Sequence, residues 1–466
     1  MPRDLWPARS FRGHPCGGPL NRALEDRVRA ALPFLALGAL VLIAYGRTLT
    51  FGYSHDDFFL LRPVAEWRFI GPSPTGFFWR PVWALVLALE YELFGLHPGP
   101  QHAISVLVQF VNASLMFALL GRLGVQRRVA LATAALWTLL ATTATGVAWL
   151  SGIDDALTMT GLMLATYFWV RRPAGPSIGD AVVATLWWLF AVLFKEVGLG
   201  WPFAMVAFAW WRRRRAPGAP RFGVELLLPL LAFGLYVALR VQALGHTAGL
   251  TSSDIPEGEM HLHGSPLVMA AGRTIHFCEA LVYNLLPVDF FTTWTGVVVG
   301  WVIGLLLVVT LVVAWRAERP QRPAWLLHGA GWLVLFSLHG AMSPAPRTLY
   351  VPAAGLAFVL CEWVATSSYF RRSLASALVL FAFLGMQLVL ERNALDAQHW
   401  QHFSNRVRNS TLLLGDDPRI TPEKKAYLAK RYQFDDVQRL ARFTRAQEMS
   451  LPWREYLQHL FKRAAG

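Results

Sequence analysis

The chain has 466 residues, 55% of them hydrophobic and only 15% charged, with 20 tryptophans and a formal net charge of +14. A soluble protein of this length carries more charge and shorter apolar runs, so the profile points to a polytopic membrane protein. The arginines fall in short loops between apolar runs, which reads as cytoplasmic anchoring rather than a nucleic-acid surface. Three widely spaced cysteines (Cys16, Cys278, Cys361) exclude a disulfide framework or a zinc site.

In chain order, residues 1–29 form a basic segment without an apolar core. The hydrophobic run from about Ala30 is not followed by a small-residue cleavage site, so it is expected to be a retained first helix. A span needs about 20 apolar residues. On that basis spans are expected near 31–49, 102–120, 129–146, 155–170, 181–194, 197–211, 223–243, 296–315, 325–341, 349–367 and 373–391, making about eleven. Residues 80–96 are apolar on one side but carry Glu90 and Glu92, which predicts an amphipathic helix lying on the membrane. The stretch 180–211 is one long helix or a hairpin. A hairpin turning at Lys195-Glu196 keeps Arg212–Arg215 on the side of the other arginine loops, and it is the reading adopted.

With that count, Arg122, Arg127, Arg128, Arg171, Arg172, Arg212–Arg215, Arg316, Arg319, Arg322, Arg371 and Arg372 share one side with the N-terminus, the cytoplasm by the positive-inside rule. The acidic residues sort to the opposite face: Asp56, Asp57, Glu66, Glu90, Glu92, Asp154, Glu196, Asp254, Glu257, Glu259 and Asp289, with Asp155 at the membrane boundary. A polar site is therefore expected on the outer face. The domain reading is a basic cytoplasmic segment (1–29), an all-α transmembrane domain (30–391) and a small helical outer domain (392–466). The Ala-, Arg- and Leu-rich composition suggests a GC-rich bacterial genome, hence the bacterial inner membrane with a periplasmic site.

An acidic pair, Asp56-Asp57, follows the first span in "FGYSHDDFFL", and this resembles the GT-C glycosyltransferases, which use lipid-linked sugars. The stretch "FWRPVWALVLALEYELFGLHPGPQHAISVLVQFVNASLMFALLGRLG" (78–124) resembles the protein O-mannosyltransferase-like branch, including its transmembrane-and-TPR members. "VAWLSGIDDALTMTGLM" (147–163), "LFAVLFKEVGLGWPF" (189–203) and "APRTLYVPAAG" (345–355) follow in the same order. The sequence departs from the family pattern at Gln101, Ser105, Gln109, Ile153, Pro346 and Thr348, and no 34-residue repeat is visible in the tail. The resemblance implies a GT-C fold with a large first outer loop carrying juxtamembrane helices. It further implies an inverting transferase that moves a sugar from a polyprenyl phosphate to a glycan, lipid or protein acceptor.

Such a transfer needs a base for the acceptor hydroxyl and a stabiliser for the departing phosphate. Two adjacent interfacial carboxylates repel and raise one pKa, which suits Asp56 or Asp57 to the base, with Asp56 favoured; capping of a short helix is the bland alternative. His55 is a partner of that pair or an interfacial residue. Arg80 reads as a phosphate holder or orienter of a carboxylate, or as a snorkelling side chain. Lys195 and Glu196 lie amid apolar sequence, where ionisable residues default to function, although an ion pair capping the turn fits too. By resemblance, Lys195 contacts the lipid phosphate. Arg347 is the leading leaving-group stabiliser, with Tyr350 beside it. Asp154 and Asp155 suit sugar hydroxyls or the orientation of a basic residue, and His102 either meets an acid of the first loop or is structural. His261 and His263 invite a metal, yet read more simply as solvated loop residues, and the chemistry needs none. No permanently bound cofactor is expected. Asn409-Ser410-Thr411 matches a glycosylation sequon, a weak signal. The alternatives are a lipid or polysaccharide transporter, which predicts an internal repeat and mid-membrane polar residues, and a non-catalytic scaffold.

Overall fold

The computed structural model describes residues 19–52, 79–94, 97–172, 175–215, 224–244 and 349–366, with a few further positions such as Trp332 and Met386. The expected site residues His55, Asp56, Asp57 and Arg347, the pair His261 and His263, the whole C-terminal segment 392–466 and the span near 296–315 lie outside the described residues, as do the spans near 325–341 and 373–391 apart from isolated positions.

Among the described residues the structure is helical and without strands. The helices are α1 (Pro19–Tyr45), α2 (Pro81–Phe94), α3 (Pro98–Arg122), α4 (Arg127–Leu139), α5 (Ala141–Ala148), α6 (Ile153–Val170), α7 (Ile178–Phe194), α8 (Trp201–Arg215), α9 (Val224–Leu244) and α10 (Ala353–Thr366). Short 3-10 turns occupy Gly46–Thr50, Leu150–Gly152 and Glu196–Gly200. Among the described residues three segments are long and apolar enough to cross a membrane: Leu24–Thr50, Pro98–Arg122 and Leu227–Leu244. The α4–α5 pair makes a fourth if it is one broken span. This is an all-α architecture of a membrane-associated kind.

The expected single span over 129–146 is instead two helices bent by 60° at Leu140. Leu140 is extended, at φ −70° and ψ 145°. Two donors close the break: the Trp137 carbonyl accepts the Thr143 hydroxyl at 2.7 Å and the Leu140 backbone N–H at 3.2 Å. The turn at Lys195 is equally clear. Lys195 is extended, α7 ends at Phe194 and α8 starts at Trp201.

α6 and α7 form an antiparallel hairpin, and ion pairs fix both ends. Arg172 Nε lies 2.7 Å from Asp180 Oδ2, and Arg171 also pairs with Asp180, at one end. Lys195 Nζ lies 2.5 Å from Asp155 Oδ2 at the other. Asp180 also closes a capping box with Ser177, so the start of α7 is chemically specified. The hairpin is close because it is small where it touches. A β-carbon on Gly161 would stand 2.9 Å from both the Ala191 β-carbon and the Trp187 carbonyl oxygen.

The remaining helices assemble around this hairpin, with α3 against α6 and α4, α9 against α7, and α10 against α4. Buried tryptophans fill the gaps. Trp201 meets Trp169 edge-on at 5.7 Å and stacks on Trp188 at 6.5 Å, and both Trp188 and Trp201 spend their indole N–H on internal acceptors. α2 docks across the top of α7 and α3, burying Trp83, Ala88 and Glu90 while Leu89 and Leu93 stay exposed. The arginine-bearing ends of α3 (Arg122), α4 (Arg127, Arg128), α6 (Arg171, Arg172) and α8 (Arg212–Arg215) lie opposite the Lys195 turn along the chain path.

Candidate functional site

Six ionised side chains converge where α6 begins and α7 ends. They form one alternating chain of charge. Arg240 Nη1 donates to Glu196 Oε1 at 2.7 Å, and Arg80 donates to Glu196 Oε2 through Nε at 3.1 Å and Nη2 at 2.8 Å. Arg80 Nη1 then donates to Asp154 Oδ2 at 2.9 Å. Lys195 Nζ sits 3.5 Å from the same oxygen and 2.5 Å from Asp155 Oδ2. All six side chains are nearly or fully buried, none more than 11% exposed.

Each member owes its position to local structure. Asp154 and Asp155 occupy the first turn of α6, where the helix dipole favours carboxylates, and Asp154 Oδ1 accepts the Asp155 backbone N–H at 2.7 Å. Lys195 is the extended residue that ends α7, and Glu196 opens the 3-10 turn that links α7 to α8. Arg80 immediately precedes Pro81, which starts α2. Arg240 is near the end of α9, one turn after Tyr236, whose hydroxyl lies 3.3 Å from Arg240 Nη1. Tyr236 in turn packs on Trp79, 6.0 Å between ring centres.

Electrostatically the chain is balanced, three cations against three carboxylates. Burial opposes the charge on Arg80, but Glu196 first and Asp154 next outweigh it, so its pKa is raised and the guanidinium stays charged. The Arg80 carbon also lies 5.9 Å above the Trp83 ring. Such an assembly holds its charges in fixed directions inside a poorly polar surrounding, where they act on a ligand more strongly than in water.

Of the residues expected to form the site, Arg80, Asp154, Asp155, Lys195 and Glu196 are therefore brought together. His102 and Tyr350 have other partners. His102 is fully buried on the first turn of α3 and meets Phe51 edge-on at 6.1 Å. The Tyr350 hydroxyl donates to Gln109 Oε1 at 2.5 Å and lies 3.4 Å from Asn112 Nδ2. Asn112 also donates to the Ala156 carbonyl at 2.8 Å and accepts from the Thr160 hydroxyl at 2.6 Å. Tyr350 thus connects through Asn112 to the same first turn of α6 that carries Asp154 and Asp155.

Arg240, Tyr236 and Asn112 were not singled out from the sequence, and Gln109 was noted only as a departure from the family pattern. The signal was present in part. Gln101, Ser105, Gln109 and Asn112 recur every three or four residues, a polar stripe on an otherwise apolar helix, and all four are buried. Arg240 is a lone charge near the end of an apolar run. No protein-family model, no curated protein and no solved structure matches the chain.

Proposed function

We propose that the protein is a GT-C-type, inverting glycosyltransferase that moves a sugar from a polyprenyl phosphate to an acceptor at the outer face of the bacterial inner membrane. The observation that carries this reading is the buried alternating chain Arg240–Glu196–Arg80–Asp154–Lys195–Asp155, built from four separate parts of the fold. Charge at this depth is costly, so its concentration at one end of the bundle, opposite the arginine loops, supports a site for a charged ligand. The polar residues crowd one end of the hairpin, whereas a transporter calls for a mid-membrane path and repeated halves. The GT-C reading also requires about eleven spans, with the N-terminus cytoplasmic and residues 392–466 outside.

In the reaction, Asp56 or Asp57 takes the proton of the acceptor hydroxyl as its oxygen bonds to the anomeric carbon. The bond from that carbon to the phosphate oxygen breaks on the opposite side, and its electron pair leaves with the polyprenyl phosphate. Arg347 compensates the charge gained by the phosphate. Lys195 and Arg80, held by Asp155, Asp154 and Glu196, set fixed N–H dipoles beside it that need no reorganisation during the step. Because the network is internally neutral, a catalytically silent scaffold is the second reading. Mass spectrometry of lipid co-purifying with the protein separates them: a polyprenyl-phosphate hexose is the expected species, and phospholipid alone counts against the transferase.

A further inference from the structure

The opposite end of the bundle carries a second charged feature, independent of the reading above. Phe34 of α1 meets Phe117 of α3 edge-on at 5.4 Å. Arg29 precedes Phe34 by five residues and Arg122 follows Phe117 by five. The two helices run in opposite directions, since Phe51 just beyond α1 meets His102 at the start of α3. At about 1.5 Å rise per residue, Arg29 and Arg122 therefore stand at one level, roughly 7.5 Å beyond the phenylalanine pair. Arg127, the first residue of α4, joins them: its Nη2 donates to the Arg29 carbonyl at 2.5 Å. Arg128 follows it.

All four guanidinium-bearing residues are exposed. Arg29 pairs only loosely with Glu25, 3.7 Å apart with both side chains over two-thirds exposed. Asp26 and Arg27 are exposed on the same stretch of α1. Among the described residues no carboxylate pairs with Arg122, Arg127 or Arg128. Five arginines thus face two carboxylates. Further along α1 from the arginine level Leu32 and Leu35 are 60% and 67% exposed, and Leu24 and Val28 are exposed before it. Cations at a single level beside an exposed apolar helix face match an amphiphile with an anionic head and hydrocarbon tails.

We infer that the α1–α3–α4 corner binds an anionic glycerophospholipid, its phosphodiester among Arg29, Arg122, Arg127 and Arg128 and its acyl chains along Leu32 and Leu35. Arginine suits the head because its planar fork matches phosphate oxygens, and the attraction to an anionic surface accumulates per arginine. The full-length protein in nanodiscs or mixed micelles, titrated with phosphatidylglycerol against phosphatidylcholine and read by native mass spectrometry, tests the site. Wild type should retain phosphatidylglycerol roughly 100-fold better, and R122Q/R127Q/R128Q should lose the preference, at roughly fivefold per arginine removed. R122K/R127K/R128K, which keeps the charge, should hold most of it, and R171Q/R172Q, at the same end but on another helix pair, should leave it unchanged. Equal retention of the two lipids by wild type overturns the inference. So does an equal loss in R171Q/R172Q, which would mean diffuse charge rather than a corner; if the glutamine triple does not fold, R122Q alone must still weaken retention.

Discussion

Glu196 is the residue on which the charge chain turns, because its two oxygens serve different guanidiniums, Arg240 on one and Arg80 on the other. Glu196→Gln would leave two buried cations facing an amide. Breaking a buried pair in this way costs about 3–5 kcal/mol, so thermal unfolding in detergent should show a loss of several degrees, and an unchanged midpoint would mean the pairs are not held as described. Tyr350 makes a different kind of contribution. Tyr350→Phe removes the donor to Gln109 Oε1 and a partner of Asn112, a loss of about 1–3 kcal/mol measurable by denaturation. Stability fully retained in Tyr350→Phe would contradict the buried hydrogen-bonded placement. At this scale the sequence was a good guide to chemical type and a poorer guide to geometry. Arg80, Asp154, Asp155, Lys195 and Glu196 stand out as charges in apolar surroundings. That Arg240 completes their chain depends on how α9 packs on α7, a long-range contact that local pattern does not encode.

Among the described residues most helices fall where hydropathy places them, and the exceptions have physical causes. α1 starts at Pro19 rather than near residue 31, because nothing between Arg22 and Leu32 breaks a helix even though the stretch is too polar to count as span. The break at Leu140 was hidden because hydropathy reads through a bend when both halves are apolar; the clue was the threonine run Thr138, Thr142, Thr143 and Thr145, whose hydroxyls can replace lost backbone partners. The hairpin turn at Lys195, by contrast, was legible from charge sidedness alone. Since α6 and α7 touch at Gly161 with no room for a methyl group, Gly161→Ala should push them apart at a cost of about 1–3 kcal/mol. A melting temperature equal to wild type would show that the hairpin is looser than its geometry. The same displacement would move Asp155 away from Lys195, so transfer activity should fall with stability in that variant.

At the scale of the molecule, the two ends of the bundle are chemically opposite. Among the described residues one end carries the exposed Arg122, Arg127, Arg128 and Arg172, and the other buries a neutral, mutually paired set of acids and bases. Asp154, Asp155 and Glu196 gather at one end as the sorting of charges by span expects, whereas Asp180, buried against Arg171 and Arg172, is an acid at the arginine end. The proposal that the acidic end cleaves sugar from an isoprenoid carrier rests on Asp56 and Asp57 joining it as base. The most direct measurement is single-turnover transfer from a labelled polyprenyl-phosphate hexose in proteoliposomes, with Asp56→Asn and Asp57→Asn measured separately. The account predicts release of polyprenyl phosphate by the wild-type protein and a drop of roughly 100-fold or more in one of the two variants, with Asp56 the expected one. Turnover unaffected by either substitution, or none by the wild type with any polyprenyl-linked hexose supplied, would contradict it.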